Sequence, residues 1–252
     1  MNLARPTDPT APFLSEESRR IPDYLVESAW LEHAPFAAWL VERLRPQTFV
    51  ELGTHHGFSY AAICEAIARQ RLAAACHAID TWRGDKHAGD FDERVLERFR
   101  AYHDPRYSGF SELLQSSFDD ALPRFADGSI DLLHLDGQHF YADVSHDFEN
   151  WLPKMSGRGV ILLHDTEVRE RGFGVFRLWA EIRDRFPGFN FEHGHGLGVL
   201  AVGTGYHPDL ARLIDLDGDE ATAAAVRTAY AELGADVARA WRERSAAGMH
   251  AA

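Results

Sequence analysis

The chain has 252 residues, 45% of them hydrophobic and 26% charged, which suits one α/β domain with appendages and is ordinary for a globular protein. Its 39 acidic against 26 basic side chains give a formal net charge of -13, which repels a phosphate backbone and argues against nucleic acid as a partner. The two cysteines, Cys64 and Cys76, sit in apolar stretches, which excludes a disulfide-built scaffold and predicts buried thiols in a cytoplasmic protein; no apolar run approaches the roughly 20 residues of a membrane span, and a signal-peptide core is missing.

Residues 1–21, with Pro6, Pro9 and Pro12 among polar side chains, read as an extended or mobile leader. From Pro22 to Leu44 the apolar positions Leu25, Ala29, Phe36, Leu40 and Leu44 recur at helical spacing, and Pro35 is expected to kink or split that helix. Short apolar runs follow at 48–53, 75–80, 111–116, 129–136, 159–165, 189–194 and 197–203. Such runs, separated by amphipathic stretches, predict a mostly parallel sheet covered on both faces. Phe140, Val144, Phe148 and Trp151 form one helical stripe, and Val175, Leu178, Trp179, Ile182 and Phe186 another. The last two runs are joined by a Gly-rich turn and read as an antiparallel hairpin at one edge. The main domain thus spans 22–206. A helical extension, 207–252, carries Val226, Tyr230, Leu233, Val237 and Trp241 on one face, packed on the domain or on a second copy, so that a homo-oligomer through the terminal helices is open.

In an open parallel sheet, ligands bind beyond the carboxyl ends of the strands, and the unusual residues fall there. After the first run comes Glu51-Leu-Gly53-Thr54-His55-His56-Gly57-Phe58-Ser59: Gly53 allows a sharp turn, Gly57 lets a ligand approach the backbone, and Ser59 is placed to cap the helix. The second run closes on Asp80, suited to both hydroxyls of a ribose, followed by Thr81 and by Trp82, whose indole can pack on a purine. A dinucleotide site wants Gly-x-Gly-x-x-Gly to cradle a pyrophosphate. Here Thr54 and His55 replace the middle glycine and Glu51 adds a negative charge, which fits the ammonium and sulfonium of S-adenosyl-L-methionine better than NAD.

A second constellation closes the fourth and fifth runs: Asp136-Gly-Gln-His139 and His164-Asp165. Two carboxylates on adjacent strands repel unless something positive lies between them, and a divalent ion is the simplest candidate. Asp136 and Asp165 suit Mg²⁺; with His164 as a further ligand, Mn²⁺ is as suitable. His139 reaches the same space as a general base for a hydroxyl acceptor. His134, mid-strand in an apolar run, reads as a core histidine, Asp143 and Asp147 as first-turn helix residues, and His193 and His195 as either pocket-lining or turn residues.

Together VELGTHHGFSY, AIDTWRGDKHAGDF, IDLLHLDGQHFYADVSHDFENWLPKMSGRGVILLHDT and FEHGHGLGVLAVG, which cover about residues 22 to 203, resemble the class I S-adenosylmethionine-dependent methyltransferases of a small bacterial group associated with glycan modification. The resemblance implies a Rossmann-like, doubly wound seven-stranded sheet whose last strand is antiparallel. It implies a cofactor held by Glu51, Gly53, Thr54, His55, Gly57 and Ser59, with Asp80 on the ribose and Thr81, Trp82, Ser117 and Phe118 near the adenine. The pattern is also similar to catechol-type and macrocin-type O-methyltransferases, which place a metal-binding Asp after the fourth strand and an acidic pair after the fifth. Here that pair is half histidine, and His139 stands where the catechol type has its basic lysine. The expected activity is O-methylation of a sugar or a glycan-linked small molecule. An iron-dependent hydroxylase using His134 and Asp136, or an idle cofactor-binding module of a glycosyltransferase assembly, would share these residues.

Overall fold

A computed structural model describes residues 8–85, 89–90, 92 and 94–248. Seven strands, β1 (Thr48–Leu52), β2 (Ala75–Asp80), β3 (Ser111–Gln115), β4 (Ile130–Leu135), β5 (Met155–His164), β6 (Gly188–Phe191) and β7 (Leu197–Ala201), form one sheet in the order β3-β2-β1-β4-β5-β7-β6. The first five pair in parallel, and β7 runs antiparallel to both β5 and β6. The doubly wound seven-stranded architecture expected from the sequence is therefore present. The hairpin lies at one edge as expected, but its second strand is threaded inward: β7 contacts β5, and β6 forms the border.

Eight helices accompany the sheet: α1 (Ala34–Leu44), α2 (Phe58–Arg69), α3 (Arg94–Tyr107), α4 (Phe118–Ala121), α5 (Tyr141–Trp151), α6 (Val175–Ile182), α7 (Pro208–Ile214) and α8 (Glu220–Ala246). Neighbouring residues of one strand feed opposite cores, because strand side chains alternate in direction. Phe49, Leu132 and Leu162 join Trp39, Ile63 and Phe99 on one face, whereas Val50, Leu133, Ile161 and Leu163 join Phe148, Trp151 and Leu178 on the other. That double burial explains why the runs are apolar throughout. Each fully buried side chain of this kind contributes about 1.5–3 kcal/mol.

Two expectations for the N-terminal region change. Pro35 lies in the first turn of α1 and does not interrupt it; a first-turn residue has no intrahelical N–H bond to lose, so proline starts the helix. Residues 22–30 are consequently not helical. The described part of the leader, 8–21, is packed: Phe13 and Ser18 are buried, and the Phe13 carbonyl accepts a hydrogen bond from the Tyr230 hydroxyl. Residues 1–7 lie outside the described residues. The predicted tail helix is α8, opened by Asp219, whose carboxylate accepts the Thr222 amide at 3.1 Å. Val226, Tyr230 and Val237 are buried against the chain's own α1 and 31–33 turn, so most of that stripe is spent within the molecule. Among the described residues no helix is long and apolar enough to cross a membrane.

Candidate active site

The strand order reverses at β1, between β2 and β4, so a crevice opens beyond the carboxyl ends of these strands. A cavity of about 680 Å³ occupies it. Residues 53–59 line its middle; Asp80, Thr81, Ser117 and Phe118, beyond β2 and β3, line one end; Asp136, His139, His164 and Asp165, beyond β4 and β5, line the other.

The loop after β1 is built by close contact. Gly53 has φ +87°, and a Cβ there would stand 2.1 Å from the Asp136 carbonyl oxygen; at Gly57, φ +84°, it would stand 2.3 Å from the Phe99 ring. Both positions therefore require glycine. Asp80 ties the loop down: its Oδ2 accepts the amides of Thr54 (2.8 Å) and His55 (2.9 Å), and its Oδ1 accepts that of Trp82 (2.7 Å). Asp80→Ala is expected to release all three amides and to destabilise the protein by about 2 kcal/mol, since hydrogen bonds to a charged acceptor are worth roughly 1.5–3 kcal/mol each and water replaces part of them. A urea-unfolding series reads this directly, and an unchanged midpoint would show that the bracing is energetically idle.

Two expected ligand contacts take other places. Trp82 is buried and does not line the cavity; its indole N–H donates to the His55 carbonyl at 3.0 Å, fastening the loop from behind. Glu51 is fully buried behind the wall, with Oε2 2.8 Å from His134 Nδ1 on the neighbouring strand, and burial pushes its carboxyl pKa up. His134 is thus the core histidine the sequence suggested, with an acid as its partner. Ser59 lines the cavity but lies inside α2 rather than capping it; Gly57 is the capping residue. Ser117, by contrast, caps α4 through its hydroxyl, which accepts the Asp120 amide at 3.1 Å.

At the other end, β4 and β5 deliver Asp136 and Asp165 side by side. His139 Nε2 lies 3.4 Å from Asp136 Oδ1 and 3.0 Å from Asp165 Oδ2. Ligand atoms of Asp136, His139 and Asp165 all fall within 4.8 Å of one another. Phe173 stacks on the His139 ring at 4.5 Å and 7°, and the Gly174 amide donates to the His139 carbonyl at 2.7 Å, which fixes the ring's plane and backbone. His164 stands behind the corner and outside this donor set: Nδ1 faces Asp136 Oδ1 at 3.3 Å and Asp165 Oδ1 at 3.5 Å, and Nε2 faces the Gly194 carbonyl at 3.1 Å. Both ring nitrogens already meet oxygens, so His164 braces the acids, and His139 completes the cluster with them.

The electrostatics follow. Burial opposes charge on both histidines, yet hydrogen bonds to Asp136 and Asp165 raise His139 to about 10, and the charges of Asp165 and Asp136 raise His164 to about 9. Burial likewise works against the two carboxylates, but His164 and His139 hold both well below the usual range. The histidine contribution to stability is complete below their ordinary value of 6.5 and is lost as pH rises through 9 to 10; that of the acids is present above 3.8 and is lost as pH falls below it. The protein free of added ions should therefore draw most stability from this corner between roughly pH 4 and 6.5. Melting temperatures across pH 4–10 for the wild type and His139→Ala check this: the variant should lose part of the alkaline slope.

Sequence reasoning missed the wall formed by Glu27, Ser28, Ala29 and Trp30, and the contribution of Gln138. The wall was hidden by its apparent helical spacing. Arg171 and Phe173, from the loop before α6, complete the Asp136 end of the cavity. His195, left open between pocket and turn, lines the cavity with its Nδ1 3.4 Å from Asp165.

Residues 50–166 match a family described as a methyltransferase domain. Over 186 residues, 74% of this chain, it is 54% identical to an uncharacterized protein, y4gI, of Sinorhizobium fredii, and it spans about a fifth (20%) of that protein's length. Among solved structures, it is similar to the S-adenosylhomocysteine-bound methyltransferase PaMTH1 of Podospora anserina, with a TM-score of 0.53 at 13% identity over 80% of this chain and 98% of that one. It is also similar to the O-methyltransferase TomG of Streptomyces achromogenes in complex with S-adenosylmethionine, with a TM-score of 0.52 at 15% identity over 80% and 92%. These structural likenesses concern the fold.

Proposed function

We propose, from the match of residues 50–166 to a methyltransferase domain, that the chain is a class I, S-adenosylmethionine-dependent O-methyltransferase, assisted by a divalent ion, that acts on a hydroxyl of a sugar or glycan-linked small molecule. The observation that supports this most is the juxtaposition, in one cavity, of the glycine-built loop 53–59 with the Asp136, His139 and Asp165 corner. Methyl transfer is an in-line displacement, so the protein must chiefly align donor and acceptor and remove a proton. S-adenosylmethionine, when bound, supplies a methyl group on a positively charged sulfur.

The loop that Asp80 braces holds the nucleoside end, and Ser117 and Phe118 flank it. The two carboxylates of this cluster, converging with the imidazole within 4.8 Å, fit Mg²⁺ or Mn²⁺. Asp136 and Asp165 would hold such an ion, which lowers the pKa of a coordinated hydroxyl. His139 is protonated while both acids face it. Once their charge is balanced from elsewhere, it returns toward the ordinary imidazole range and takes the acceptor proton at Nε2. Phe173 keeps the ring in place during that exchange. The polar wall, with Gln138, Arg171 and His195, suits a hydroxylated acceptor better than an apolar one.

The test is calorimetry with S-adenosylhomocysteine, followed by transfer of a labelled methyl group to a panel of sugars and glycosides with EDTA, Mg²⁺ or Mn²⁺. Binding of the nucleoside together with ion-dependent labelling of a hydroxyl is expected. No heat with the nucleoside would end the methyltransferase reading, and labelling unaffected by EDTA would remove the ion.

A further inference from the structure

A second row of histidines lies behind the corner, and part of it comes from outside the matched domain. His33 belongs to the Leu31–His33 turn before α1 and is fully buried. Its Nε2 lies 2.8 Å from the Gly194 carbonyl oxygen, the same oxygen that His164 Nε2 approaches at 3.1 Å. A carbonyl can only accept, so both nitrogens carry protons and Gly194 receives two N–H donors. His33 Nδ1 is buried without a partner, which leaves the Gly194 contact as the bond that orients the ring. The fit is tight: Gly194 has φ +55°, and a Cβ there would stand 2.9 Å from His33 Nε2. His33 also packs on the rings of His164 (5.4 Å) and His193 (5.0 Å).

The turn that His33 holds is wired to the acids. The Asp165 amide donates to the Gly196 carbonyl at 3.0 Å, the Glu167 amide donates to the His195 carbonyl at 2.9 Å, and His195 Nδ1 lies 3.4 Å from Asp165 Oδ1. The residue before His33 abuts α8, where a Cβ on Gly234 would meet the Glu32 carbonyl at 2.4 Å. We infer that His33 is a positioning residue: through the Gly194 carbonyl it fixes the 193–196 turn and His164, and thereby sets where Asp136 and Asp165 point. Its importance for the reaction rests on the corner being the methyl-transfer site; the positioning itself does not.

Amide hydrogen exchange in the full chain tests it. His33→Ala should raise exchange at least tenfold in peptides covering 163–168 and 193–197, with peptides from β1 and α2 unchanged and S-adenosylhomocysteine affinity within twofold. His33→Gln, whose amide nitrogen can replace Nε2, should restore most of the protection, and His33→Asn, one carbon shorter, should not. Unchanged protection in His33→Ala, or equal loss in the glutamine and asparagine variants, overturns the assignment. Should the alanine variant fail to fold, the glutamine and asparagine pair decides alone. Failure of the wild type to bind the nucleoside would count against the proposed function and leave the exchange result to judge His33.

Discussion

Asp136→Ala should reduce methyl transfer by at least about 10³-fold while leaving S-adenosylhomocysteine affinity within about threefold. The carboxylate faces His139 and His164 together, so its loss removes the proposed ion ligand and, in the same step, the charge that holds both rings. Losing a ligand costs the polarisation of the hydroxyl, and a misplaced base costs a further 10²- to 10⁴-fold by general experience with proton transfer. The nucleoside end should be spared, because the loop is fastened by Asp80 on the opposite side of β1. His139→Ala separates the roles: a loss of roughly 10²-fold or more in rate with retained Mn²⁺ binding, followed by electron paramagnetic resonance, marks a base, whereas loss of the ion as well marks a ligand. Steady-state rates with a labelled cofactor provide the first number, and an Asp136→Ala rate near that of the wild type would sink the assignment of the corner.

Gly53→Ala should be more damaging to the fold than any change at the corner. An alanine Cβ would overlap the Asp136 backbone at 2.1 Å and Gly137 Cα at 2.9 Å, and the residue would have to hold φ +87°. Left-handed strain of about 1–3 kcal/mol and overpacking of similar size add to roughly 3–5 kcal/mol. The collision involves backbone, so no rotamer relieves it. Chemical unfolding should register the lost stability, and calorimetry should find the nucleoside bound at least about 100-fold more weakly, because the strand ends that shape the crevice are forced apart. A variant that binds normally would mean that β1 and β4 separate at little cost.

Much of this was legible in residue order. Double-sided burial makes a strand apolar along its length, which is why β1, β4 and β5 stand out as continuous runs, and a strand that ends in Asp announces itself against that background. Asp80, Asp136 and Asp165 were therefore locatable, and proximity across neighbouring strands followed from the parallel order. The roles of Glu51 and Trp82 were not legible. Each stands where a ligand contact is reasonable, and only the direction of its side chain, set by the partner opposite it, turns one toward His134 and the other under the loop. His164 was misassigned for a similar reason: a histidine next to an aspartate reads as a ligand pair until the Gly194 carbonyl, 30 positions later in the chain, claims its second nitrogen. The wall from Glu27 to Trp30 was concealed by apolar spacing that suits a helix, although Pro35 moves the helix start to Ala34.

The inward threading of β7 has a consequence for synthesis on the ribosome. Strands β1 to β5 can associate as they emerge, since each pairs with a neighbour already made, but the turn that meets His164 and Asp165 is translated only with residues 193–196 and is anchored when Leu197 pairs with His164. A nascent chain stalled before this hairpin would carry His164 and Asp165 without their final backbone companions, the Gly194 and Gly196 carbonyls. The acidic corner is therefore completed only once the border of the sheet has closed.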